Sequence, residues 1–170
     1  MRHSRELFWR YWLPVLVMLA LIRLESSVAM SGGRTAHLLG TLLMSMGIHI
    51  SHRQLDILNL LLRKSGHMLG YGTLCFLWMM LLRGAYWLHH EYRRRKQGHI
   101  PVLRMWWRPE WATLALVLTF LVATADELHQ MRLPGRNGSW HDVALDTFAG
   151  ALALGALWWE ARTVSRKPAE

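Results

Sequence analysis

Cysteine is almost absent from this sequence, since Cys75 is the only one in 170 residues. A single thiol cannot close an intrachain disulfide, so a disulfide framework is excluded and the redox compartment is not indicated. Internal repeats and low-complexity tracts are also lacking, apart from the basic run Arg93–Lys96. The length leaves room for one domain. We therefore predict a single domain over residues 1–170, with a motif-bearing core spanning about residues 57–160.

A long uninterrupted apolar run is missing as well. Crossing about 30 Å of hydrocarbon takes about 20 apolar residues in a helix, and no segment here reaches that length cleanly. Flanking Trp, Tyr and Arg side chains can extend shorter segments to the headgroups, because their apolar parts tolerate lipid while their polar ends reach water. Four segments qualify on that basis: Tyr11–Ile22 (Phe8–Leu24 if the flanking arginines snorkel), Met68–Leu82, Trp111–Ala125 and Val143–Trp159.

The composition favours a membrane protein. The sequence is 52% hydrophobic, yet its net charge is +9 and it contains ten Trp. Trp gathers at membrane interfaces and excess Lys and Arg mark cytoplasmic loops. A soluble helical bundle is the alternative, although it would have to pair ten indole N–H groups and would lack a polar face for water. We predict an all-α polytopic membrane helical bundle with about four transmembrane helices.

The basic residues predict the orientation of the chain. Lysine and arginine concentrate in the N-terminal residues, in the connection of residues 83–110 and in the C-terminal tail, which a four-span topology places on one side. The positive-inside rule then makes both termini and the basic loop cytoplasmic in the cell membrane. The small residues Ser27-Val28-Ala29 also fit a signal-peptide cleavage site. Because Arg23 and Glu25 interrupt the approach to that site, we predict that the first span is retained.

The first outward connection, residues 25–66, is long enough to contain structure of its own. Thr35–Met46 and Arg53–Lys64 both carry Leu at helix-like spacing. We predict that these two segments are interfacial helices lying on or dipping into the membrane surface. A re-entrant pair is the alternative.

The first polar motif runs from Lys64 to Tyr71. Lys64, His67 and Tyr71 are three and four residues apart, so a continuous helix places them on one face at the mouth of the second span. Gly66 and Gly70 form a pair of small residues four apart, which is typical of close helix packing in membranes.

The second polar motif joins the third and fourth spans. The turn dipeptides in its loop predict a fixed position for Arg136. Asp146 falls about one turn below the surface, where a carboxylate costs roughly 2.5–3.5 kcal/mol unless it is protonated or paired. Its predicted partners are Lys64, His67 and Arg136, so we expect the two motifs to form one cluster. In chain order the second motif consists of Asp126, Glu127, Gln130, Pro134-Gly135-Arg136, Asp142, Asp146 and Gly150.

Together the two motifs resemble the VanZ-like family of small membrane proteins, named for a component linked to resistance to the glycopeptide antibiotic teicoplanin. The family pattern is Lys-x-x-His-x-x-x-Tyr, then Asp-Glu-x-x-Gln, Pro-Gly-Arg and Asp-x-x-x-(Asn/Asp)-x-x-x-Gly. All four elements are present in order between about Arg63 and Gly155. The resemblance implies a cell-envelope membrane protein connected with the glycopeptide response, and it implies no particular reaction.

These residues predict a polar site at the extracytoplasmic membrane face. His67 is a candidate general base, because the unperturbed pKa of histidine lies near neutrality, and Glu127 or Asp126 is a second acid or base. Lys64 and Arg136 are suited to a phosphate headgroup, which arginine binds in bidentate fashion. The other candidate substrate-binding residues are Tyr71, Gln130, Asp142 and Asp146.

The predicted partners are membrane lipids and a phosphate-bearing envelope amphiphile, with its tail in the bilayer and its head in the cluster. The site would bind and, in one version, modify this amphiphile. Whether the protein is an enzyme is left open. The alternative is a non-enzymatic scaffold or docking protein, whose charges only fix the register of the helices.

Metal and nucleic-acid functions are less favoured by the sequence. No His-x-x-x-His or Cys pair supplies a secure metal-binding spacing, and Lys64 and Arg136 would repel a cation. We therefore predict no metal and no cofactor. The basic run Arg93–Lys96 is typical of a cytoplasmic loop near anionic lipid, so no nucleic-acid partner is predicted.

Overall fold

The computed structural model describes Arg5 and residues 7–97, 107–134 and 138–164, and these residues form helices and turns without a strand. The all-α prediction is therefore confirmed. The four predicted spans all fall in helical segments. A π-helical turn, Phe8–Trp12, precedes the first helix, and a 3₁₀ turn, Val28–Met30, follows it. The helices are α1 (Leu13–Glu25), α2 (Gly32–Ser45), α3 (His52–Gln97), α4 (Pro109–Gln130) and α5 (Trp140–Val164).

The structure corrects the prediction for the second span and its flanks. The segment Arg53–Lys64 is not a separate interfacial helix, because it continues into the second span as one α3 helix of 46 residues. The predicted loop of residues 83–110 is also helical as far as Gln97, and residues 98–106 lie outside the described residues. Residues 52–97 contain no proline. Each glycine costs only about 1 kcal/mol in a helix, which is too little to interrupt one that packs against four others.

The reversal between α2 and α3 follows from its local sequence. Gly47 has φ 76°, a left-handed conformation that glycine adopts at low cost. Its N–H bonds to the Met44 carbonyl and the N–H of Ile48 bonds to the Leu43 carbonyl, which is a Schellman ending. Helix α3 then starts with a capping box, in which Ser51 and Gln54 bond to each other's backbone N–H groups.

Helix α3 is the centre of the bundle and packs against all four other helices. Glycines lie where neighbouring helices come closest. A Cβ on Gly70 would contact Met18 of α1 at 3.4 Å, and a Cβ on Gly72 would lie 3.5 Å from the backbone of Ala149 in α5. Gly66 likewise faces Glu25. The predicted glycine pair therefore allows α1 to approach α3 closely.

Two of the described helices are long and apolar enough to cross a membrane, namely the His52–Tyr86 part of α3 and all of α4. At 1.5 Å per residue, a helix of the length of α3 extends about 69 Å, more than twice the roughly 30 Å of hydrocarbon in a bilayer. A membrane-spanning α3 must therefore project well beyond the hydrocarbon.

Gly150 provides a test of the packing between α3 and α5. A Cβ there would lie 3.1 Å from the Cβ of Cys75 and 3.4 Å from Leu116, whereas a Cβ on Gly155 would meet nothing within 4 Å. We expect Gly150→Leu to lower the free energy of unfolding by about 1–3 kcal/mol through overpacking. Thermal unfolding in detergent measures it, with Gly155→Leu as the matched control. Equal stability of the two variants would contradict this packing.

Candidate functional site

The candidate site lies at one end of the bundle, where four chain segments bring polar side chains together. These segments are the turn after α1, the middle of α3, the C-terminal end of α4 and the N-terminal half of α5. The structure thereby brings residues of the two sequence motifs into direct contact. Its described members are Ser26, Lys64, His67, Tyr71, Asp126, Glu127, Gln130, Ser139, Asp142 and Asp146.

Asp126 is the acceptor at the centre of a buried hydrogen-bond network. Its Oδ2 accepts from the hydroxyl of Ser26 at 2.6 Å, the hydroxyl of Tyr71 at 3.1 Å and the side-chain amide of Gln130 at 2.9 Å. All four side chains are buried. Because the donors come from three different parts of the chain, the carboxylate of Asp126 ties α3, α4 and the end of α1 together.

Glu127 connects the end of α4 to the start of α5. Its Oε2 accepts the backbone N–H of Ser139 at 2.8 Å, and its Oε1 lies 3.4 Å from the amide nitrogen of Gln130. The side chain is only 2% exposed. Gly138 must be small here, because an added Cβ would collide with the carbonyl oxygen of Glu127. The loop residues 135–137, including the predicted anion holder Arg136, lie outside the described residues.

Asp146 is the most deeply placed acid of the cluster and has no exposed surface. Its Oδ2 is 3.3 Å from Nδ1 of His67, whose side chain is 11% exposed. Its Oδ1 is buried without a hydrogen-bond partner among the described residues. The ring of His67 also stacks on Tyr71, with 6.1 Å between the centroids. His67 is thus oriented from two sides, by a carboxylate and by an aromatic ring.

Lys64 and Asp142 form an ion pair at the rim of the site. The side chain of Lys64 is 41% exposed and that of Asp142 is 23% exposed, so the pair borders water or headgroups. The sequence offered Lys64, His67 and Arg136 as partners for Asp146. In the structure His67 takes that role, and Lys64 pairs one turn earlier along α5.

Sequence reasoning missed Ser26 and the contribution of the first helix. Ser26 lies a hundred residues before its acceptor Asp126, so no local spacing could reveal the contact. The indication in the sequence was the pair of Gly66 and Gly70, because two small residues four apart are typical of a helix that another helix contacts closely. That neighbour is α1, and it delivers Ser26 and Glu25 to this end of the bundle.

One group of side chains has the donor atoms of a metal site. His67, Glu127 and Asp146 each offer a ligand atom, and these atoms lie within 4.8 Å of one another. The same side chains suit acid–base chemistry, because a histidine held by a carboxylate is oriented for proton transfer. Acid–base chemistry and cation binding would therefore use the same three residues.

Comparison with known proteins finds a family model that covers most of the chain. The family model described as VanZ/LLP1 matches residues 8–161. The match confirms the resemblance drawn from the motifs and extends it over α1 and α2, to which the motif comparison assigned nothing. No curated protein and no solved structure matches the chain significantly.

Removing the hydroxyl of Ser26 tests whether the first helix is part of this site. Ser26→Ala leaves the buried carboxylate of Asp126 with one donor fewer, so we expect a loss of about 1–3 kcal/mol in the free energy of unfolding. Ser27→Ala is the matched control, since Ser27 Oγ is buried without a partner within the described residues. Chemical unfolding in detergent compares the two variants, and equal losses would argue against the Ser26–Asp126 bond.

Proposed function

The chain belongs to the VanZ/LLP1 family, and from this premise we propose that it is a multi-pass cell-membrane protein that binds an envelope amphiphile at its extracytoplasmic face. The observation that carries the proposal is the buried cluster around Asp126 and Asp146, built from four segments of a bundle whose helices α1, α4 and α5 expose large apolar side chains. Family membership supports a role in the envelope's response to glycopeptides.

The outer surface of the bundle supports membrane insertion. Large apolar side chains project outward along α1, α4 and α5, and patches of this extent are uncommon on soluble monomers. In the proposed topology α3 and α4 each cross the membrane once. Helix α1, with its preceding π turn, and helix α5 add two further crossings, which makes four. Among the side chains more than half exposed are Leu21, Leu121, Phe148 and Leu152.

The position of the charged residues supports the proposed orientation. Residues 1–10, 83–110 and 162–170 carry 13 of the 20 lysine and arginine residues. Among the described ones, Arg10 precedes α1, Arg108 precedes α4 and Arg162 lies near the end of α5. These are the helix ends away from the cluster, which the proposed topology makes cytoplasmic under the positive-inside rule. The cluster then faces the extracytoplasmic side.

The graded burial of the site supports an amphiphile as its ligand. Lys64 and Asp142 at the rim are partly exposed, while His67 and Asp146 lie deeper. A headgroup can reach the rim from the membrane surface while its tail remains against the apolar faces. Lys64 is the described cation best placed to bind a phosphate, as an alkylammonium does through charge-assisted hydrogen bonds.

His67 and Glu127 are the proposed acid–base residues, if the bound amphiphile is modified. The carboxylate of Asp146 orients the ring of His67, and the Ser139 backbone orients Glu127. The alternative is a non-enzymatic scaffold or docking protein, and the completeness of the Asp126 network favours it. The Oδ2 of Asp126 accepts from three donors on different segments and so holds these helices together.

Labelling of single cysteines tests the topology. With Cys75 replaced by Ala, we expect Ser65→Cys and His141→Cys to react with a membrane-impermeant maleimide added outside intact cells, because both positions are exposed near the cluster. Arg95→Cys should react only after the membrane is opened. Labelling of position 95 from outside, or of position 141 only from inside, would reverse the proposed orientation.

Titration with hexadecyl phosphate tests ligand binding by the purified protein in detergent. We expect Lys64→Gln to weaken binding about tenfold or more, because a hydrogen bond to a charged group contributes about 1.5–3 kcal/mol. Arg53→Gln is the matched control, since Arg53 is exposed on the same helix. Calorimetry measures both.

Hexadecanol is the control ligand in the same titration, because it has the same alkyl tail but lacks the phosphate headgroup. Much weaker binding of the alcohol than of the phosphate is expected. If the two bind equally, or if Lys64→Gln binds like the native protein, the scaffold alternative replaces the amphiphile proposal.

A further inference from the structure

Hydrogen bonding leaves one atom of the buried cluster unexplained. Asp146 Oδ1 is fully buried and has no partner among the described residues, although buried carboxylate oxygens are almost always paired. Its other oxygen, Oδ2, faces His67 at 3.3 Å. An acceptor oxygen in such a position needs a proton or a cation beside it.

The charges near Asp146 are also out of balance. The side chains of Asp126, Glu127 and Asp146 are all buried. Lys64, the lysine of the first motif, is paired with Asp142 at the rim and not with any of these three acids. The charge of Lys64 therefore offsets that of Asp142, and within the described part of the chain His67 is the basic side chain recorded against these deeper acids. Buried charges are normally paired or coordinate metals, because an unpaired charge in a low-dielectric site is costly.

The arrangement of donor atoms suits a cation. The ligand atoms of His67, Glu127 and Asp146 lie within 4.8 Å of one another. Two ligands of a tetrahedral zinc ion lie about 3.4 Å apart, so closing the group around an ion takes side-chain shifts on the order of 1 Å. The three residues come from α3, α4 and α5, which hold them in place from three directions.

We propose that His67, Glu127 and Asp146 bind one divalent transition-metal cation of the Zn²⁺ or Mn²⁺ type. One imidazole and two carboxylates are ligands that these ions accept, whereas Ca²⁺ and Mg²⁺ prefer oxygen alone. Three protein ligands leave a coordination position open, as in catalytic zinc sites. Lys64 repels a cation less than its charge alone would suggest, because Asp142 forms an ion pair with it.

This inference goes beyond the proposed binding of an amphiphile and is tested without one. A cation at this position would give the acidic cluster an electropositive centre, to which a phosphate oxygen could bind. Metal binding and amphiphile binding can nevertheless succeed or fail separately, because the titrations use different probes.

Metal titration of the full chain tests the proposal. The detergent-purified protein is stripped with EDTA and titrated with ZnCl₂, and in parallel with MnCl₂, by calorimetry. We expect one saturable site per chain, weakened at least about tenfold in Asp146→Asn and Glu127→Gln, since the loss of even a second-shell partner costs about 10–100-fold. The unfolding temperature of the native protein should rise with the metal, and that of the variants should not.

Two variants control for binding at surface residues. Asp56→Asn removes an exposed acid from α3, and His129→Gln removes a histidine of α4 that is outside the cluster. Both should bind the metal as the native protein does. Lack of saturable binding by the native protein, or an equal loss in the control variants, would overturn the proposal.

A variant that loses its helical circular dichroism signal is unfolded and cannot report on metal binding. In that case a spectroscopic test on the native chain is used. Co²⁺ is added as a coloured substitute for Zn²⁺. Visible absorption bands of protein-bound cobalt, abolished by adding Zn²⁺, are the expected result. A spectrum identical to that of cobalt in buffer would refute the site.

Discussion

The contact between His67 and Asp146 is the constraint on which the site depends. A fully buried carboxylate on α5 is costly unless a partner reaches it, and α3 brings His67 within 3.3 Å of it. The register of α3 against α5 is thereby set at one residue pair. Once this register is set, the helical repeat places Lys64 beside Asp142 at the rim. Tyr71, one turn after His67, contacts Asp126 of α4 in the interior.

Small residues make these polar contacts possible. Helix association in a membrane lacks a hydrophobic driving force, so it relies on close packing and on interhelical hydrogen bonds. Gly72 and Gly150 allow α5 to approach α3, while Gly70 allows α1 to approach from another side. The short distances let side chains as compact as Ser26 reach Asp126. Packing and polar pairing therefore stabilise the same helix crossings.

Helical periodicity explains which parts of the site were predictable. Lys64, His67 and Tyr71 share a face by spacing alone, as do Asp142 and Asp146, so the meeting of two motifs follows from the sequence. The choice of partners does not, because a shift of one turn between two helices exchanges Lys64 for His67. Such a shift is decided by the packing between helices, which the spacing of residues within one helix does not reveal. The continuity of α3 was likewise missed, since glycines weaken an isolated helix more visibly than they weaken one with neighbours on several sides.

The exposure of the rim pair determines how a ligand can enter. Partly exposed ion pairs contribute only about 0–1 kcal/mol, so exchanging Asp142 for an incoming phosphate on Lys64 costs little. The deeper acids cannot be exchanged in this way, because the removal of one partner leaves a charge buried alone. Under the proposed function, Asp142 is the group that an anionic headgroup would replace on Lys64. The rim is suited to reversible binding, and the interior around Asp126 and Asp146 is suited to holding the helices in a fixed arrangement.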